Sequence, residues 1–136
     1  MVKTLILAAG VAALATSAHA VNLLCVTSNP SSKDWVPKSV AVTVDTDRLQ
    51  AAVLDEYTSQ VLGGPIMVDF RQTGAKRLQL KWELVGAKDV QGREQTVDFT
   101  MSINVGNGRF TYQGIGESFF VTPGSASGRC GRIPEG

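Results

Sequence analysis

The sequence predicts an all-β domain. It reads as a small antiparallel up-and-down meander of about eight short strands, closed as a barrel or folded as a sandwich, with its termini tied by one disulfide. Three observations carry this reading. Apolar and polar residues alternate with period 2 along most of the chain after residue 20. Turn residues punctuate the alternation, most clearly at Gly106–Asn107–Gly108, where Asn-Gly tolerates the positive φ that tight hairpins need. Cysteine occurs twice, at Cys25 and Cys130, one near each end.

The first twenty residues read as a secretory signal peptide, with the all-β domain spanning residues 21–136. Met1–Val2–Lys3 is a basic start, Thr4 to Ala15 is uncharged and mostly apolar, and Ala18–His19–Ala20 offers the small residues a signal peptidase reads. That apolar run is about 12 residues, against the roughly 20 that span a bilayer, so no membrane span is expected. A lipid anchor on Cys25 is disfavoured because Leu24 stands where a small residue is required. Export to the periplasm or the extracellular space follows. Removing the signal takes Lys3 and His19 with it, which leaves 12 basic residues, 12 acidic residues and no histidine. The near-neutral balance gives no broad basic surface for nucleic acid.

An even cysteine count in an exported chain implies a disulfide, and Cys25–Cys130 is the one intramolecular pairing. Its Cα atoms should lie about 4.4–6.8 Å apart. Without histidine the two thiols match neither a metal site nor a Cys-His nucleophile.

In chain order, Val21 to Thr27 forms the first strand. A polar, proline-bounded loop follows, in which Trp35 either lids the core or presents a contact surface. Val40, Val42 and Val44 alternate, Asp45 to Arg48 turns the chain, and Leu49, Ala51 and Val53 return opposite them. A helical stripe through Leu49, Ala52, Val53 and Tyr57 competes over residues 48–57; the β surroundings favour strand. Tyr57 to Gly64 reads as a loop. Ile66, Val68 and Phe70 then face Trp82, Leu80 and Leu78 around a turn at Thr73–Gly74–Ala75. Leu78, Leu80, Trp82 and Leu84 match Ile103, Met101, Phe99 and Val97 across the loop 86–94. A turn at Asn107–Gly108 pairs Val105 with Phe110 and Ile103 with Tyr112. A last short strand is expected near Phe119 to Val121. One apolar face and one polar face require the sheet to close or fold over, and short strands with a polar outer face disfavour an outer-membrane barrel.

The missing residue types point away from catalysis. Without histidine there is no Ser-His-Asp site and no histidine metal site, and no glycine-rich phosphate loop opens a helix. Asp45 and Asp47 read as a turn rather than a calcium loop. Glu83 and Asp98 face each other on the polar side, so a carboxylate-dependent hydrolase is the alternative. Arg71, Lys76, Arg77 and Lys81 cluster around one hairpin, where they can steer an acidic partner. Trp35, Arg71, Arg77 and Lys81 are therefore the candidate binding residues. A hollow barrel lined by Trp82, Phe99 and Tyr112 would take a small apolar ligand. The expected function is a small exported, non-enzymatic binding or accessory protein of the cell envelope. Its partner is an envelope protein or a small apolar ligand, with no cofactor and no metal, and its oligomeric state is left open.

In layout the chain resembles the small exported bacterial β-barrel proteins that include the membrane-bound and periplasmic lysozyme inhibitors. The resemblance covers a signal peptide, roughly a hundred further residues, an antiparallel barrel and a disulfide. It implies an inhibitor module as a further alternative. Ser127–Gly128–Arg129–Cys130 shares only the first two letters of the inhibitors' Ser-Gly-x-x-Tyr loop, so no inhibitory residue carries over.

Overall fold

The computed structural model describes residues 20–31, 35–116 and 124–133. The rest of the expected signal segment and the strand expected at Phe119 to Val121 lie outside the described residues. Among the described residues eight strands and one helix follow in order: β1 (Ala20–Thr27), β2 (Ser39–Asp45), β3 (Gln50–Leu54), α1 (Glu56–Leu62), β4 (Ile66–Gly74), β5 (Arg77–Lys88), β6 (Glu94–Asn104), β7 (Arg109–Ile115) and β8 (Gly124–Arg132). Each strand pairs antiparallel with the next, and β8 returns to β1 to close a barrel. Closure, rather than a sandwich, leaves no open sheet edge.

β5 and β6 pair as the alternation predicts: Leu78 with Ile103, Leu80 with Met101, Trp82 with Phe99 and Leu84 with Val97. Two other registers differ from expectation by two residues. Phe110 pairs with Ile103, not Val105, and Tyr112 pairs with Met101. The chain turns early because the Asn104 carboxamide accepts the N–H groups of Gly106 and Asn107, and the Asn104 carbonyl accepts that of Gly108. Val105 is thereby held in the turn and exposed. Phe70 pairs with Leu80, not Leu78, because the hairpin turns at Ala75–Lys76, later than expected, with Gly74 paired to Arg77; the one-residue slip between Gln72 and Gly74 then leaves a net shift of two. Both shifts are even, so every side chain keeps its face.

The ambiguous segment contains both structures. Val42 pairs with Val53 and Val44 with Ala51, so Gln50–Leu54 is strand. Leu49 lies in the turn with φ 54°. The stretch expected as a loop from Tyr57 is instead α1. Asp55 caps it, accepting the N–H groups of Tyr57 and Thr58, while the Thr58 hydroxyl accepts the Asp55 N–H in a reciprocal capping box. Gly63, at φ 72°, ends it.

The closing strand β8 is rich in Gly and Ser, residues of low β propensity. At Gly128 the missing side chain answers a packing demand. A Cβ on Gly128 would lie 2.8 Å from the ring of its partner Phe110 and against the Val26 carbonyl. Ser127 and Gly128 therefore sit in a paired strand, not in a projecting loop. Cys25 and Cys130 are direct register partners on β1 and β8, bonded at S–S 2.00 Å. Their Cα separation of 3.8 Å is shorter than expected. The Cys130 N–H donates to the Gly108 carbonyl instead of across this ladder, and opposed pairs not hydrogen-bonded to each other approach most closely.

Candidate functional site

The meander sorts its connections onto two ends. The β1–β2 loop, α1 and the β5–β6 loop lie at one; the turns β2–β3, β4–β5 and β6–β7 lie at the other. The first end is filled. Trp35 meets Tyr57 edge-on at 5.4 Å, Tyr57 stacks on Phe99 at 6.0 Å, and Phe99 stacks on Trp82 at 5.5 Å. Tyr112 packs against both Trp82 and Phe99. Of its two possible roles, Trp35 takes that of lid: it is buried. Trp82, Phe99 and Tyr112 fill this half of the barrel instead of lining a hollow. The Trp82 indole N–H is buried with no acceptor among the described residues, at a cost of about 1–3 kcal/mol.

Asp55 lies in the same half. Its Oδ1 holds α1, and its Oδ2 accepts the Tyr112 hydroxyl at 3.0 Å. Burial raises its pKa, opposed by the N–H of Thr58, the Tyr112 hydroxyl and the N–H of Tyr57. Burial, then the Asp55 charge, pushes the Tyr112 hydroxyl well above its ordinary range. Both carboxylate oxygens are committed to structure.

The opposite end is open. A cavity of about 460 Å³ enters the barrel there, within the size range of small-molecule sites. Leu23, Val44, Phe70, Leu78 and Ile103 form its apolar floor, one from each of five strands. Leu49 and Val105 reach the rim from two turns, beside Thr46, Gln72 and Asn107. The tight turns carry no element that could fold inward, so among the described residues nothing plugs this mouth. Arg132 also lines it. Arg132 pairs with Leu23, whose side chain faces the interior, so an arginine occupies an inward register position. Among the described residues it has no ion pair.

The cations singled out in the sequence lie elsewhere. Arg71 opposes Gln79, Arg77 opposes Asn104 and Lys81 opposes Thr100, all on the outer face. None lines the cavity. Glu83 and Asp98 are register partners, both exposed on that face. Arg132 was missed, although a signal existed. Cys130 must face inward to meet Cys25, and Arg132, two residues on, shares its parity. Among the described residues no helix is long and apolar enough to cross a membrane. No known family, curated protein or solved structure matches the chain.

Proposed function

We propose that this protein is a non-enzymatic binding protein that takes a small amphipathic ligand in the open mouth of its barrel. The observation that carries the reading is an apolar cavity of about 460 Å³ with an arginine, Arg132, at an inward register position on its wall and without an ion pair among the described residues. The ligand's apolar part would lie against Phe70, Leu78 and Ile103, and an anionic end would meet the Arg132 guanidinium. No catalytic residue is assigned; the Glu83–Asp98 pair lies on the outer face and does not line the cavity. Export belongs to the same reading. The leader-like segment at residues 1–20 supports it, and the disulfide is compatible with an oxidising compartment.

Calorimetric titration of the disulfide-intact protein with decanoate and decanol tests this. Decanoate should bind saturably. Arg132→Gln should weaken decanoate roughly tenfold or more, the size of a lost charged hydrogen bond, and leave decanol unchanged. Failure of both alkyl ligands to bind would overturn the reading.

A further inference from the structure

The outer face of β5 to β8 carries a second concavity, independent of the mouth. Strand pairing places Gln79, Ser102, Thr111 and Ser127 in one row across four strands. One step toward the open end lie two further pairs, Arg77 with Asn104 and Arg109 with Arg129. Together with Asn107, the three arginines and the hydroxyls of Ser102, Thr111 and Ser127 line a groove of about 450 Å³.

Its guanidinium and carboxamide groups offer donors, beside hydroxyls that can donate or accept. Asn104 Oδ1 is taken by two turn N–H groups and Asn107 Oδ1 by the Arg109 N–H, which leaves each carboxamide its NH₂. No Asp or Glu lines the groove, and none of the three guanidinium groups has an ion pair among the described residues. Two arginines elsewhere do find carboxylate partners: Arg48 with Asp45, and Arg93 with Asp89. Arg109 and Arg129 stand directly opposite each other, an arrangement of like charges that disfavours the strand pairing. An anion between them reverses the sign of that interaction.

We propose that this groove binds a phosphate-type oxyanion, held between Arg109 and Arg129 with Arg77 on its flank. A doubly charged group with several acceptor oxygens matches converging guanidinium forks better than a single carboxylate does. The groove is larger than a bare phosphate, so the phosphate belongs to a larger molecule. Asn107 lines both groove and mouth, which meet across the Gly106–Asn107–Gly108 turn. That sill is low because Gly108, at φ 77°, is pressed onto β8. A Cβ there would stand 2.6 Å from the Cys130 carbonyl oxygen. The phosphate can therefore come from a soluble phosphorylated compound or from a lipid headgroup whose chains enter the mouth.

The test titrates the disulfide-intact protein with pyrophosphate at constant ionic strength, followed by calorimetry and by amide chemical shifts. Saturable binding is expected, with shifts centred on residues 102–111 and 127–129. The R109Q/R129Q variant should bind at least tenfold more weakly, keep its decanol affinity, and melt no lower than the parent. No saturable binding, shifts spread evenly over all basic residues, or unchanged affinity in the double variant would each overturn the proposal. The shift map on the parent protein decides the matter even if the variant fails to fold. A parallel titration with monomeric dihexanoyl phosphatidic acid separates the sources. Tighter binding than pyrophosphate assigns the site to a lipid headgroup, and weaker binding assigns it to a soluble compound. Absence of both decanoate and decanol binding alongside intact pyrophosphate binding would remove the mouth reading and leave this one standing.

Discussion

At the end capped by α1, five aromatic side chains fill the barrel and a buried carboxylate ties the cap to β7. At the other end the same strands present Leu78, Ile103 and Val44 and leave a cavity. The strands do not explain the difference, since they run through both ends. The connections do. In a meander, alternate connections fall at opposite ends, and here the connections that bring Trp35 and Tyr57 share one end. The tight turns at the other end carry Leu49 and Val105 outward, where both are exposed. A barrel of this kind is sealed by what its loops carry, and an end whose loops carry nothing inward becomes a vessel.

The largest expected effect lies on the seam between β1 and β8. Replacing Cys25 and Cys130 with Ser releases a sequence separation of 105 residues, worth roughly 4.7 kcal/mol in chain entropy. Urea unfolding should register most of that loss. Hydrogen exchange should rise more in β8, which carries the bridge, than in β6. A uniform rise would mean that the seam is no weaker than the rest of the barrel.

Truncation compares the ends directly. Phe99→Ala, in the filled half, should cost about 3–5 kcal/mol because it opens an enclosed void. Leu78→Ala, on the floor of a cavity already open to water, should fall at or below the low end of the about 2–5 kcal/mol range for Leu→Ala. It should weaken decanoate binding instead. Equal costs by thermal or urea unfolding would mean that the mouth is as tightly closed as the cap.

Asp55→Ala removes the helix cap and strands the Tyr112 hydroxyl, for about 2–3 kcal/mol in urea unfolding. Asp55→Asn keeps Oδ1 for the two N–H groups and isolates the charge. Burial raises the folded pKa of Asp55 above its ordinary 3.8. The folded chain therefore holds this proton more tightly than the unfolded chain does. The stability it contributes is fully present below pH 3.8 and is lost as pH rises through the raised value. Asp55→Asn should lack that decline. Asp89 moves the other way, its carboxyl held low chiefly by the Arg93 backbone N–H, so its contribution is lost as pH falls. A wild-type chain whose stability does not fall relative to Asp55→Asn over the window above pH 3.8 would refute the assignment.

The smallest effect lies on the outer wall. Glu83→Gln with Asp98→Asn removes a like-charge pair and should stabilise the fold by a few tenths of a kcal/mol, read from the thermal midpoint. Ligand affinity at either site should not change.

The long strands and the bridge were legible because period 2 and cysteine parity are strong local signals. β5 against β6 came out residue for residue. Two hairpin registers did not, because a slip of two residues leaves every side chain on its face, and only the turn chemistry at Asn104 and the late turn with its slip after Gln72 distinguish them. α1 is too short for a helical period to show; its signals were the cap at Asp55 and the stop at Gly63. β8 was hidden by its Gly-rich composition, which makes sense only once Phe110 is known to cover Gly128. The mouth itself is defined by side chains that are absent from one end, and no alternation pattern records an absence.

The register-opposed bridge also closes the covalent skeleton from Cys25 to Cys130 into a ring. A pull applied between the two ends of the chain would run through the sulfur–sulfur bond, and the residues between Cys25 and Cys130 would carry no load. Reduction would transfer that tension to the ladders of β1. On rupture, the separation of 105 residues would pay out about 350 Å of chain. Redox state thus decides whether the molecule transmits a pull as a short stiff link or a long slack tether.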